Sequence, residues 1–311
     1  MENRKTVLVT GATGAVGSAL VRELIAHECE IYVFSRPNSG RLNAIPVHPR
    51  VHRVDCALEQ LSQLSLPDVS ADTFYHLAWE GTTGAARNDV NIQNRNIKYA
   101  LDAVSAARRF GCRKFIGVGS QAEYGRVSGI LKPSTPTFPE TAYGMAKLCA
   151  GQMTGLLAHQ LGMAYNWVRI LSVYGPNDGA QSMVMTAIRK FRDGETALFT
   201  KAEQQWDYLY SGDAARALYL IGECGADGKT YVLGSGHVRP LADYIRMIRD
   251  AVDSRAPYVL GALPYAENQV MYLQADLREL SDDTGFLPLT DFADGIRQTV
   301  RSCDDRKRIE T

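Results

Sequence analysis

The first twenty-seven residues constrain the fold most. An apolar run, Thr6-Val-Leu-Val-Thr10, passes directly into Gly-Ala-Thr-Gly-Ala-Val-Gly17, and Val16–His27 then repeats its apolar residues at helical spacing. A buried strand turning sharply into a helix is the opening of a βαβ unit. The pattern recurs: Glu30–Phe34, Val51–Asp55, Thr73–Leu77, Lys114–Val118 and Ala164–Ile170 read as strands, with Ile92–Phe110 and Ala142–Leu161 as long helices between them. Right-handed crossovers stack such units into one parallel sheet with helices on both faces.

Gly11, Gly14 and Gly17 fall at G-x-x-G-x-x-G spacing between the first strand and the first helix. Glycine tolerates the tight turn, lets backbone approach a pyrophosphate, and lets the helix pack close on the strand. Free N–H groups at the helix start then face the anion. The expected fold is therefore α/β, a Rossmann-type doubly wound parallel sheet with a smaller C-terminal α/β substrate-binding region. The rhythm loosens at Tyr174-Gly-Pro-Asn-Asp-Gly179, a turn-rich break. Residues 1–171 are expected to form the dinucleotide-binding domain, with 206–236 returning to it, and 172–311 mainly the substrate-binding region. In that region Met183–Asp193, a stretch from Asp213 and Leu241–Val252 read as helices, and Thr230–Leu233 as a strand.

The ends of successive strands supply the remaining cofactor contacts. The expected set is Gly11, Thr13, Gly14, Ala15, Val16 and Gly17, then Ser35 and Arg36, Asp55 and Cys56, and Leu77, Ala78 and Trp79. An acidic residue at the end of the second strand would accept from a ribose 2′-hydroxyl. Ser35 and Arg36 stand there instead, with Arg41 nearby, and a guanidinium can fork onto a 2′-phosphate. NADP(H) is expected ahead of NAD(H), which remains possible because a solvated loop arginine is the competing reading. His76 is expected to be structural.

Tyr143-Gly-Met-Ala-Lys147 places a phenol and an ammonium on one helix face. A lysine beside the ring lowers the phenol pKa toward the working range, and can also hold the nicotinamide ribose. Ser120 lies just past a buried strand, where its hydroxyl can bond a carbonyl or alkoxide beside the tyrosine. The catalytic candidates are Ser120, Tyr143 and Lys147, and Tyr143 and Lys147 also count among the cofactor contacts. Ser120, Gln121, Tyr143, Arg87 and Trp206 are the candidate substrate contacts. Arg87 and Gln93 have a helix-cap or surface role as their competing reading, and Trp206 a core role.

With these motifs assembled, the chain resembles an extended short-chain dehydrogenase/reductase of the NAD-dependent epimerase/dehydratase family over nearly its full length. The resemblance rests on the glycine loop, His76-Leu-Ala, Ser120 before Tyr124-Gly125, Tyr143 with Lys147, Arg169 before Val173-Tyr-Gly-Pro176, Trp206-Asp-Tyr-Leu-Tyr210 with Asp213, and Tyr231-Val-Leu-Gly-Ser-Gly236. It implies a homodimer through a helical bundle, a nucleotide-sugar substrate and hydride transfer at a sugar carbon. The departures narrow this. Dehydratases of the family carry acidic residues right after the catalytic hydroxyl; here Gln121 and Ala122 follow, and Glu123 is one place late. Trp206 stands where many members have a phosphate-binding arginine, and Ser172 where epimerases often have asparagine. The segment around Trp79 and Tyr124 resembles nucleotide-sugar 4-ketoreductases. The leading expectation is NADPH-dependent reduction of a 4-keto sugar, with Tyr143 as general acid. The alternatives are a nucleotide-sugar epimerase with tightly bound NAD(P), or a non-catalytic NADP(H)-sensing protein.

Composition excludes other classes. Thirty-four basic residues balance 34 acidic ones, so no global field gathers nucleic acid or an anionic membrane. The six cysteines show no metal-finger spacing, and no metal is expected. The N-terminal apolar run is too short for a signal peptide, and no stretch reaches the ~18 apolar residues of a membrane span. A soluble cytoplasmic protein is expected.

Overall fold

The computed structural model describes residues 4–310, with side chains to Asp304. Met1–Asn3 and Thr311, the ends of the expected domain ranges, lie outside the described residues. The chain runs β1 (Thr6–Thr10), α1 (Ala15–Ala26), β2 (Glu30–Ser35), β3 (Val51–Asp55), β4 (Thr73–His76), α2 (Val90–Arg109), β5 (Lys114–Ser120), α3 (Ala142–Gln160), β6 (Ala164–Ile170) and β7 (Ser172–Tyr174). It continues through α4 (Met183–Arg192), β8 (Ala197–Leu198), β9 (Gln205–Trp206), β10 (Tyr208–Tyr210), α5 (Ser211–Cys224), β11 (Thr230–Leu233), β12 (Arg239–Pro240) and α6 (Leu241–Val252). Then come β13 (Tyr258–Val259), α7 (Arg278–Thr284) and α8 (Phe292–Glu310).

Seven strands form one parallel sheet in the order β11-β6-β5-β4-β1-β2-β3. Helices cover both faces. Leu20, Val21 and Leu24 of α1 share one core with Ala214, Leu218 and Ile221 of α5, while Ala103, Val104 and Ala107 of α2 meet Ala150 and Ala158 of α3 in the other. Each of the buried leucines and valines contributes about 1.5–3 kcal/mol relative to exposure. Caps set the helix starts. Asp89 accepts from the Asn91 and Ile92 N–H groups at 2.9 and 3.1 Å, and Thr141 from Gly144 N–H at 3.1 Å. The Asp89 cap starts α2 two residues earlier than the apolar spacing predicts.

β5 runs two residues past the expected Val118, because Gly119 and Ser120 still pair with Arg169 and Ile170. That extension carries Ser120 to the carboxyl edge of the sheet. β11 adds beside β6, so the segment following β10 returns to the main sheet. The chain reverses direction of travel across the sheet between β1 and β4, the switch point where a ligand crevice opens in such folds. A separate core around Tyr174, Ile188, Phe191, Tyr244, Ile248 and Phe292 holds the C-terminal region. No described helix is long and apolar enough to cross a membrane.

Candidate active site

At the switch point, the β1–α1 turn closes on itself. Gly11 has φ +77°, and a Cβ there would sit 2.6 Å from Ala78 N; a Cβ on Gly17 would sit 2.1 Å from Gly11 O. Gly14 caps α1 without a side-chain bond, and a Cβ there would meet only the Gly11 carbonyl, at 3.6 Å. A cleft of about 330 Å³ runs from this turn past the ends of β2, β3 and β4. Of the expected contacts, Gly11, Thr13, Gly14, Ser35, Arg36, Cys56, Leu77, Ala78 and Trp79 line it. Ala15, Val16 and Gly17 instead form the first turn of α1, where Gly17 serves the packing of helix on loop. Asp55 does not line the cleft; its exposed carboxylate faces Arg53 at 3.7 Å. The alternation of β3 turns Asp55 away and leaves Cys56 on the wall, its thiol pushed up to about 11 by burial. Ala12, Phe34, Ser39, Arg41, Leu58, Glu80 and Thr82 also line the cleft.

The cleft fits a dinucleotide. Ser35 is buried, and its Oγ has no partner, so a ribose or phosphate oxygen there would satisfy it. Arg36 and Arg41 flank it; Arg41 also donates to the Asn177 carbonyl. Thr10 Oγ1 accepts from Leu77 and Ala78 N–H at 3.2 and 3.3 Å and lies 2.9 Å from His76 Nδ1. This fixes the strand end beneath Ala78. Burial pushes His76 down to about 3, so the ring is a neutral structural group.

Ser120, Tyr143 and Lys147, the last two expected among the cofactor contacts, are not in the lining of that cleft. Tyr143 and Lys147 lie against Trp79, which does line it, the Tyr143 ring centre 6.2 Å from the Trp79 ring. The start of α3 packs on the turn after Ser120, where a Cβ on Gly144 would meet the Ala122 carbonyl at 2.3 Å, and this sets Tyr143 on the Ser120 side. Lys147 Nζ donates to the Val118 carbonyl at 2.6 Å and lies 3.8 Å from the Trp79 ring centre. Burial pushes Lys147 down to about 7. The expected effect of Lys147 on Tyr143 is carried differently: Nζ is 5.9 Å from that ring, while the Arg87 guanidinium stacks on it at 4.2 Å. Burial raises the Tyr143 pKa, and the Ser120 hydroxyl and Arg87 oppose it. Arg87 therefore has neither a cap nor a free surface role; it sits on the Tyr143 ring and donates to the Thr82 carbonyl at 2.9 Å. Gln93 is an internal staple, accepting from Trp79 Nε1 at 2.8 Å and donating to the Gly81 and Ala86 carbonyls, both at 2.9 Å.

Neither of the two residues after Ser120 is acidic. Gln121 and Ala122 begin a short 3-10 turn, and Glu123 points inward with no exposed surface. Among the described residues no cluster of His, Cys, Asp or Glu could hold a metal ion.

A second cavity, about 440 Å³, lies between α4, β8 and the start of α6. Trp206, Tyr208, Phe199 and Leu241 make its apolar wall, and no Lys or Arg lines it. Gln204 is buried on this wall with Oε1 unpartnered. Trp206 packs against the C-terminal core and also lines the cavity. Its Nε1 donates to Ser172 Oγ at 2.9 Å, so two departures from the family pattern bond to each other.

Known proteins are similar to this chain over nearly its full length. The dTDP-glucose 4,6-dehydratase of Neisseria gonorrhoeae is 25% identical, the match covering 98% of this chain and 97% of the relative. A putative UDP-glucose 4-epimerase of Methanocaldococcus jannaschii is 21% identical over 97% of this chain and 99% of its own. The UDP-N-acetylglucosamine 4-epimerase of Methanobrevibacter ruminantium, solved with UDP-N-acetylmuramic acid, has the same fold at TM-score 0.88 and 23% identity, covering 97% of this chain and 99% of that one. The UDP-glucuronic acid 4-epimerase of Bacillus cereus, solved with UDP-glucuronic acid and NAD, gives a TM-score of 0.83 at 21% identity, covering 97% and 99%. The model of the NAD dependent epimerase/dehydratase family matches residues 7–234. The chain belongs to the NAD dependent epimerase/dehydratase family and is an enzyme of the extended short-chain dehydrogenase/reductase type.

Proposed function

We propose that this enzyme is an NADPH-dependent reductase of a nucleotide-linked 4-keto sugar. The observation that carries the reading is Ser120 at the end of β5 on the side of Tyr143 of α3, a phenol that burial keeps protonated. A protonated tyrosine is the state needed to quench a forming alkoxide. A bound nicotinamide would supply the hydride for the carbonyl carbon. Ser120 donates to the substrate oxygen, polarising the carbonyl, and Tyr143 delivers its proton to that oxygen. Lys147 anchors the strand end through Val118 and offers its ammonium to the ribose. Gly11, Thr13 and Gly14 would hold the pyrophosphate, and Ser35, Arg36 and Arg41 the adenosine phosphate. The absence of an acidic residue at the end of β2 supports NADP(H) over NAD(H).

Gln121 and Ala122 argue against water elimination, since neither side chain can act as acid or base. The uncharged cavity beside Trp206 suits a nucleobase, with Gln204 Oε1 accepting a ring N–H. Exposed Met145, Met153 and Leu156 on α3 support pairing with a second copy, and three buried unpaired cysteines suit a reducing cytoplasm. Incubation with NADPH and nucleotide 4-keto-6-deoxy sugars tests the reading. Substrate-dependent loss of reduced-nicotinamide absorbance is expected; unchanged absorbance with every such sugar contradicts it. Epimerisation is the second reading, supported by the two relatives of the same fold whose names are 4-epimerases.

A further inference from the structure

The end of β5 is gripped from two sides. Lys147 Nζ holds the Val118 carbonyl at 2.6 Å, and the Glu123 carboxylate accepts the Ser120 N–H at 2.8 Å. Glu123 has no exposed surface, yet it is fully bonded: Trp167 Nε1 lies 3.1 Å from both its oxygens, and Arg169 Nε 2.7 Å from one. The same Trp167 ring that bonds Glu123 has its centre 5.9 Å from Lys147 Nζ. The strand is built to admit this arrangement. A Cβ on Gly119 would meet Glu123 Oε1 at 2.3 Å, and one on Gly117 would meet the Trp167 ring at 2.4 Å.

We propose that Glu123 is a positioning residue for the reaction proposed above: it fixes Ser120 through the backbone N–H and supplies the buried negative charge that faces the Lys147 ammonium. A buried carboxylate costs several kcal/mol of desolvation unless fully paired. A valine or leucine would fill this interior site without that cost, but could neither accept the Ser120 N–H nor face a cation. The proposal rests on the catalytic assignment of Ser120 and Lys147.

The surrounding groups make Glu123 the relevant charge. From β4, His76 is neutral. From α3, Tyr143 is held protonated by burial, as are Tyr165 of β6 and Tyr124 of the turn. Arg169 of β6 stays cationic beside Glu123, and Arg87 lies over Tyr143. Burial lowers Lys147 and Glu123 opposes it. In Glu123→Gln the opposing charge is gone and the Arg169 guanidinium is left uncompensated, so the lysine titration moves to lower pH.

The test follows Lys147 directly, by carbon NMR of the full-length protein labelled at lysine Cε, with Lys147→Arg identifying the signal. Glu123→Gln is expected to lower the Lys147 midpoint by about one pH unit or more, and, because the Glu123 charge also raises Tyr143, to move the alkaline fall of kcat the same way. A folded Glu123→Gln protein with an unmoved Lys147 midpoint overturns the proposal. If that variant does not fold, Glu123→Asp is read instead. It keeps the charge but draws it back from Ser120, so kcat should fall about tenfold at every pH while the Lys147 midpoint stays within about 0.5 unit. Wild-type kcat in Glu123→Asp overturns the positioning of Ser120. The NMR midpoint needs no substrate: a shifted midpoint with no turnover on any nucleotide sugar sinks the proposed function and leaves the charge pairing standing.

Discussion

The Arg87 guanidinium lies 4.2 Å from the centre of the Tyr143 ring. A cation stacked on a phenol favours the phenolate, so Arg87 opposes the burial that raises Tyr143. Replacing it with leucine keeps bulk over the ring and removes the charge. In the reductive direction the enzyme needs Tyr143 protonated, so activity falls as pH rises through its pKa. Arg87→Leu should move that alkaline fall to higher pH, opposite to Glu123→Gln. A pH profile of kcat distinguishes the two, and an unmoved or lowered limb in Arg87→Leu contradicts this role.

Tyr143→Phe removes the proton donor and leaves the ring against Trp79 and Arg87. It should lower kcat by about 10²–10⁴-fold, with NADPH affinity held within about threefold. Cofactor fluorescence titration alongside steady-state rates measures both. Turnover at the wild-type rate would remove Tyr143 from the chemistry.

Arg36 and the orphaned Ser35 hydroxyl face the same end of the cleft. A charge-assisted bond to a phosphate is worth about 1.5–3 kcal/mol, so Arg36→Asp should weaken NADPH by about 10–100-fold. NADH should change far less or improve, because aspartate can accept from a 2′-hydroxyl. Equal losses for both cofactors would show that Arg36 does not read the 2′ position.

His76 couples stability to pH. Its pKa falls from 6.5 unfolded to about 3 in the fold, so between these values the unfolded chain binds more protons. Stability from the neutral ring is complete above pH 6.5 and is lost as pH falls through that window, by up to about 1.4 kcal/mol per unit. His76→Gln should flatten this part of the slope. Urea unfolding at several pH values checks it; the wild-type steepness in the variant would assign the slope to other groups.

Most of the parallel sheet was legible because each βαβ unit repeats a strong signal: a short apolar run, then a helical period. The glycine loop and the Tyr143–Lys147 spacing were legible for the same reason, being local. What escaped was long-range. Arg87 reaches Tyr143 across 56 positions, which no periodicity records. Glu123 follows a short turn, and nothing local shows that it folds inward onto Trp167 and Arg169. The two-residue strands β8, β9, β12 and β13 have no period to read, because their pairing is set by the packing of α4, α6 and α8. Asp55 was misplaced by one residue of strand alternation, which sends neighbouring side chains to opposite faces.

The most direct test of the account is to run the reaction with NADPH deuterated at both nicotinamide C4 hydrogens and a nucleotide 4-keto-6-deoxy sugar. The account predicts one deuterium at C4 of the product hydroxy sugar for each NADPH oxidised, with the transfer lost in Tyr143→Phe. A rearranged sugar without deuterium, formed with no NADPH consumed, would contradict reduction and identify an epimerase.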